Sequence, residues 1–204
     1  MAAAVSAPIA APLAGAEGRF LLHDVPWWMY VAMRDALEDT GVRMTYLDGS
    51  LELMSPSALH EEAKTIIARL LEAWADENDV DLRGFGSTTF RREAKKRGLE
   101  PDECYVLGRR IDNDGTPDLA IEVIVASPLL DKVEVYAGLG VPELWVWRQA
   151  TRAIEVWRLA GAAYELQAGS LLLPALDLGL LARFVQPGDS HTALVKGFRA
   201  ALRG

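Results

Sequence analysis

The run "TPDLAIEVIV" (116–125) constrains the fold more than any other stretch of this chain. A short apolar run between Pro117 and Ala126-Ser127-Pro128 predicts a strand, and apolar character on both faces predicts an interior one. Alternation places Asp118, Ala120, Glu122 and Ile124 on one face, and Leu119, Ile121, Val123 and Val125 on the other. Two carboxylates therefore share a face of a central strand. An ionised carboxylate buried without a partner is strongly disfavoured, or its pKa shifts until it is neutral. Solvation at the strand start accounts for Asp118, beside Pro117. It does not account for Glu122 in mid-run, because Glu is seldom buried unpaired. A carboxylate so placed binds a metal or moves protons, or else it pairs with a Lys or Arg.

The flanking sequence predicts what surrounds that strand. "DVPWWMYVAMRDALEDTGVRM" reads as a helix from near Asp24 to Gly41, with Pro26 in its first turn. "MTYLDGSLELMSP" places Asp48-Gly49 between two alternating runs, a hairpin signal. Leu59, Ala63, Ile66, Ile67, Leu70, Leu71 and Trp74 recur at helical spacing and predict an amphipathic helix over 58–77. "DLRGFGSTTFRR" and "EPDECYVLG" read as strands. "PLLDKVEVYAGLG" reads as a helix closed by glycines, "VPELWVWRQ" as a strand, and "AIEVWRLAGAAYELQ" as a hairpin. The last residues form a helix. From 58 to 148 the order is helix, strand, strand, strand, helix, strand. That order predicts an α/β fold, a mixed central sheet flanked by helices with added hairpins.

Composition narrows the function classes. The net charge of −8 counts against a simple basic nucleic-acid-binding module. Arg91, Arg92, Lys95, Lys96 and Arg97 nevertheless cluster, either to meet phosphates or as a solvated turn. Residues 1–17 are mostly Ala and Pro without a basic start, which predicts a disordered tail rather than a secretion signal, and leaves 18–204 as a single domain. No apolar run is long enough to span a membrane, and the single cysteine, Cys104, suits the cytoplasm. Trp145, Trp147 and Trp157 suit a core or a homodimer interface.

A second acid beside Glu122 is what a Mg²⁺ site needs, and Asp102, which opens the preceding strand, is the candidate. Asp102 in a Pro-Asp pair followed by Glu122 in a strand, within this element order, resembles the PD-(D/E)XK nuclease superfamily. "EPDECYVLG", "PDLAIEV" and "DKVEVYAGLGVPELWVW" resemble, more narrowly, the bacterial Uma-type family of restriction endonucleases, over about residues 20–200. The superfamily pattern has a Lys two residues after the Glu, where this chain has Ile124. In the Uma-type family the Lys lies on the following helix, and Lys132 fits that place. By spacing alone Lys132 reads as a solvated helix residue between Asp131 and Glu134.

The resemblance also places a His at the start of the helix over 58–77. His60 thus faces the site or belongs to a capping region with Ser57 as N-cap; both readings stay open. Asp118 either supports the site or is structural. The implied function is endonucleolytic hydrolysis of DNA, with Asp102 and Glu122 holding Mg²⁺ or Mn²⁺ and Lys132 assisting. The alternative is a non-catalytic protein of the same fold acting as a dimeric binding or scaffold module.

Overall fold

The computed structural model describes residues 17–38, 40–86, 89–109, 115–128 and 130–204. The tail expected at the N-terminus lies outside these residues except for Glu17. The described elements are β1 (Gly18–Leu22), α1 (Trp27–Ala36), β2 (Arg43–Leu47), β3 (Ser50–Ser55), α2 (Ala58–Glu77), β4 (Leu82–Gly84), β5 (Phe90–Arg92), β6 (Arg97–Leu99) and β7 (Glu103–Leu107). They continue with β8 (Leu119–Ile124), α3 (Lys132–Leu139), β9 (Glu143–Arg148), β10 (Ala153–Ala160), β11 (Ala163–Gln167), α4 (Leu178–Phe184) and α5 (His191–Leu202). No helix among them is long and apolar enough to cross a membrane.

β8 is interior, as its two-sided apolar pattern requires. It lies in a mixed sheet of order β11-β10-β9-β8-β7-β4. It runs antiparallel to β7 and parallel to β9, and α3 makes the crossover that a parallel pair needs. One face of this sheet carries Leu119, Ile121, Val123, Trp145 and Trp147. It packs on α2 through Ile66, Ile67, Leu70 and Trp74, with Leu181 of α4 and Phe198 of α5. The other face carries Ala120, Leu144 and Val146, and packs on Val135, Tyr136 and Leu139 of α3. Trp145 and Trp147 are fully buried core residues.

The N-terminal hairpin does not extend this sheet. It joins a second, antiparallel sheet of order β1-β3-β2-β6-β5. The stretch read as one strand over 81–92 is split between the two sheets, with β4 in one and β5 in the other. In the second sheet, Met44, Tyr46 and Leu51 face α1, where they meet Tyr30, and they also meet Val25 just before the helix. Gly98 is needed there, since a Cβ at that position would lie 2.3 Å from the Tyr30 hydroxyl and 2.7 Å from its ring carbon Cζ. The pairs Arg19–Met54 and Thr45–Glu52 point the opposite way, as does Leu99, which packs beside Ala120 and Tyr136. The polar face of the second sheet thus looks onto the face of the first that carries Glu122. Lys95 and Lys96 lie at the turn between β5 and β6. Arg91 pairs with Asp35, and Arg97 with Asp48 and Glu134.

Candidate active site

Sheet register brings the two expected acids together. Glu103 pairs with Ile121, so the antiparallel ladder continued by one residue sets Asp102 opposite Glu122. Directly opposed residues project from the same face. Asp102 Oδ2 accepts a hydrogen bond from the Val123 backbone N–H at 2.7 Å, which ties the carboxylate to the strand that carries Glu122. Both acids are buried, each about 1% exposed.

Lys132 completes the group. After β8 the chain turns through Ala126-Ser127-Pro128, and Asp131 caps α3 by accepting from the Glu134 N–H at 3.2 Å. That cap makes Lys132 the first residue of the helix and aims it back over the strand end. Its Nζ lies 2.6 Å from Glu122 Oε2. At 8% exposed it is not a solvated helix residue. One turn later, on the same helix face, the Tyr136 hydroxyl donates to Glu122 Oε1 at 2.5 Å.

The two readings of His60 hold together. Ser57 Oγ accepts from the His60 N–H at 3.2 Å and caps α2. The ring, fully buried, meets Asp102 Oδ1 through Nε2 and Glu17 Oε1 through Nδ1, each at 2.9 Å. Burial works against a charged imidazole, but its hydrogen bonds to Asp102 and Glu17 and their charges outweigh burial and push the pKa up to about 9. His60 is therefore an imidazolium at neutral pH, with both ring N–H groups donating. Burial alone would raise Asp102, yet the hydrogen bond from His60 and the charges of His60 and Lys132 bring it down to about 2. Glu122 goes the other way: burial and the like charge of Asp102 raise it, against the pull of Lys132 and Tyr136. Burial would lower Lys132, but the charges of Glu122 and Asp102 raise it and hold it protonated.

Asp118 lies apart from this group. Its Oδ1 meets Arg109 at 2.7 Å and its Oδ2 accepts from the Leu107 N–H at 2.9 Å, so it ties β7 to the start of β8. It lies four positions before Glu122, about 13 Å along extended chain.

A family model described as Uma2, "Putative restriction endonuclease", matches residues 27–184. The chain belongs to the Uma2 family. Among solved structures it is similar to "a putative nuclease belonging to DUF820 from Anabaena variabilis ATCC 29413", at 15% identity and a TM-score of 0.42, covering 76% of this chain and 90% of that one. Among curated proteins none matches it.

Four further residues of this Uma2 chain join the site. Besides Tyr136 they are Glu52, Glu17 and Arg19. Glu52 alternates with Leu51 and Leu53 in "SLELMS", a pattern that by itself reads as a solvated face, yet it is 1% exposed. Tyr136 was readable as the i+4 neighbour of Lys132. Glu17 and Arg19 carried no local signal. Arg19 pairs with Glu52 and, at 2.8 Å, with Glu17. With every group charged, Glu17, Glu52, Asp102 and Glu122 oppose Arg19, His60 and Lys132, which leaves one negative charge in excess.

The donor set suits Mg²⁺. A carboxylate has about four lone-pair sites, and the contacts of Asp102 and Glu122 engage one per oxygen. Both acids keep acceptor capacity for a hard cation. Among the described residues no group of three or more His, Cys, Asp or Glu could hold an ion. Two carboxylates completed by water and substrate phosphate is the usual mode of Mg²⁺ rather than of an all-protein cage. A cavity of about 280 Å³, lined by Ile124, Leu144, Val146 and Arg148, reaches Glu122 and Lys132.

Proposed function

We propose that this Uma2 protein is a metal-dependent endonuclease that hydrolyses DNA phosphodiester bonds, with a PD-(D/E)XK site whose lysine has moved from the strand to the next helix. The observation that carries this reading is the 2.6 Å contact of Lys132 with Glu122, beside Asp102 across one strand pair. It restores through space the acid, acid and lysine grouping that Ile124 breaks in sequence.

Asp102 and Glu122 would hold Mg²⁺ or Mn²⁺, which when bound supplies Lewis-acid polarisation of the phosphoryl oxygen and a water of lowered pKa. His60 keeps Asp102 ionised and fixes its orientation, as outer partners of metal ligands do. Lys132 stays protonated, so it acts as a cation: it steadies the attacking water or the charge that develops on the phosphoryl group. Tyr136 holds the second oxygen of Glu122, so the carboxylate does not swing away as substrate arrives. The site is one charge negative with every group ionised and the chain carries −8, so a cation held by Asp102 and Glu122 would offset the charge that opposes DNA.

Plasmid and single-stranded DNA, incubated with the full chain in Mg²⁺ or Mn²⁺ and again with chelator, test the reading. Cleavage that needs the metal and is lost in Glu122→Gln supports it. Cleavage that survives chelator, or an intact substrate under every metal, sinks it. One observation favours the alternative, a non-catalytic scaffold of this fold: every oxygen of Asp102 and Glu122 already has a protein donor. In that case Mn²⁺ would not bind at all.

A further inference from the structure

A lysine two residues after the glutamate on one strand is held by the strand itself. Here Lys132 lies ten positions after Glu122, and a turn lies between them. Lys132 is the first residue of α3, so the position of its ammonium against Glu122 follows that turn as well as the packing of the helix. Packing of Val135, Tyr136 and Leu139 on the sheet sets the height of α3, and the Asp131 cap sets its start, but neither holds the turn that leads from β8 into the helix.

The second sheet holds the turn. Arg19 Nη2 donates to the Ala126 carbonyl at 3.3 Å, at the beginning of the turn. The Leu130 N–H donates to Glu52 Oε2 at 3.1 Å, at its end. Arg19 and Glu52, on the adjacent strands β1 and β3, are ion-paired to each other. The turn is therefore gripped at both ends by one ion pair, which is 9% exposed at the Arg19 side chain and 1% at Glu52. Arg19 also meets Glu17, whose other oxygen meets His60, which meets Asp102. A single guanidinium thus touches both arms of the site. Its planar fork suits that work, since it presents several donors in fixed directions, which a lysine ammonium does not.

We infer that the Arg19–Glu52 pair is a brace that positions Lys132 against Glu122, taking over from the strand the task that the relocated lysine lost. Arg19 lies outside the residues matched by the family model. The inference rests on the nuclease reading for its effect on rate, but not for its effect on Lys132. Arg19 and Glu52 are positioning residues, because their contacts are to the turn and not to the reacting atoms. Displacing a reacting group by about 1 Å costs on the order of 10²-fold in rate, and loss of an outer partner costs about 10–100-fold.

The test compares the parent chain with Arg19→Ala and Arg19→Lys. The first readout needs neither metal nor DNA: the ¹⁵N-labelled ammonium signal of Lys132, identified by its loss in Lys132→Met. A buried ammonium bonded to a carboxylate gives a sharp signal, while exposed lysines exchange with water. The signal should shift or broaden away in Arg19→Ala. The second readout is single-turnover cleavage at saturating DNA, which should fall about 10–100-fold while DNA affinity stays within about twofold. Arg19→Lys keeps a charge against Glu52 without the reach to Ala126 and Glu17, and should lie between the two. If Arg19→Ala does not fold, Arg19→Lys decides. A folded variant with an unchanged Lys132 signal and an unchanged rate overturns the brace. A parent chain that cuts no DNA sinks the nuclease reading alone, because the ammonium signal still reports on the brace.

Discussion

Lys132→Met exposes the energetics of the site most directly. The substitution keeps much of the apolar stem and removes the ammonium that lies 2.6 Å from Glu122. Glu122, about 1% exposed, is left with the Tyr136 hydroxyl and the nearby charge of Asp102. Breaking a buried pair by removing one partner costs about 3–5 kcal/mol, because the other charge is stranded. At roughly 2–4 °C per kcal/mol for a chain of this size, Tm should fall by about 6–20 °C at pH 7. The loss should depend on pH. Burial and Asp102 already raise Glu122 above its ordinary value, and removing Lys132 takes away the main charge that opposes them. An acid whose folded pKa is raised prefers its neutral form in the fold. The penalty is small below the unfolded value of about 4.3 and grows as pH rises toward the raised folded value, where it levels off. Melting curves of parent and variant should thus converge near pH 4 and separate toward pH 7. Adding Glu122→Gln to Lys132→Met should restore most of the loss at pH 7, since no charge is stranded. Differential scanning calorimetry from pH 4 to pH 8 reads all three. If Lys132→Met melts within about 2 °C of the parent at pH 7 with no pH-dependent gap, a difference worth under about 1 kcal/mol, then Lys132 and Glu122 are not a buried pair and the reasoning fails.

Other consequences follow from the same contacts. The His60 ring should titrate by NMR near 9; stability from its raised pKa is complete below about 6.5 and is lost as pH rises through 9, so an ordinary histidine titration would refute the Glu17–His60–Asp102 chain. Tyr136→Phe leaves one oxygen of a buried carboxylate without its donor and should cost about 1–3 kcal/mol by urea titration; a neutral result would mean that the Tyr136–Glu122 bond contributes nothing. Asp102→Asn and Glu122→Gln should each weaken Mn²⁺ binding by about tenfold or more in calorimetry, and parent-like affinity in both would place the metal elsewhere. Gly98→Ala forces a methyl into the buried Tyr30 ring and should cost about 1–3 kcal/mol, read by thermal melting; parent-like stability would show that β6 and α1 part easily.

The residues differ in how far they were legible. Glu122 was legible because a single mid-strand acid contradicts its apolar surroundings, and that contradiction is local. Asp102 needed the resemblance, since a Pro-Asp pair by itself is only a turn signal. Lys132 is an ordinary helix residue by spacing, and its burial depends on where the turn after β8 sets α3. Asp118 was paired with Glu122 by strand alternation, yet its oxygens went to Leu107 and Arg109, because a carboxylate at a strand start takes the nearest free donors. Glu52 is not legible as a buried acid, because it alternates with Leu51 and Leu53 as a solvated residue would, and only the first sheet lying over that face buries it. The hairpin around Asp48-Gly49 was legible as a hairpin, but not which sheet it would join.

The sequence by itself determined the interior strand, the amphipathic helix 58–77, the mixed α/β class and the mid-strand acid that must find a partner, because each follows from periodicities of two or 3.6 residues along one stretch of chain. Only the tertiary structure decided that a second sheet lies over that strand and that Glu17 and Arg19 reach the site from its edge. It also decided that His60 is charged between two carboxylates. Those outcomes depend on contacts between residues 33 to 107 positions apart, such as Arg19 with Glu52 and with Ala126. Local pattern carries no record of such pairs, since burial and register bring them together only after both sheets have formed.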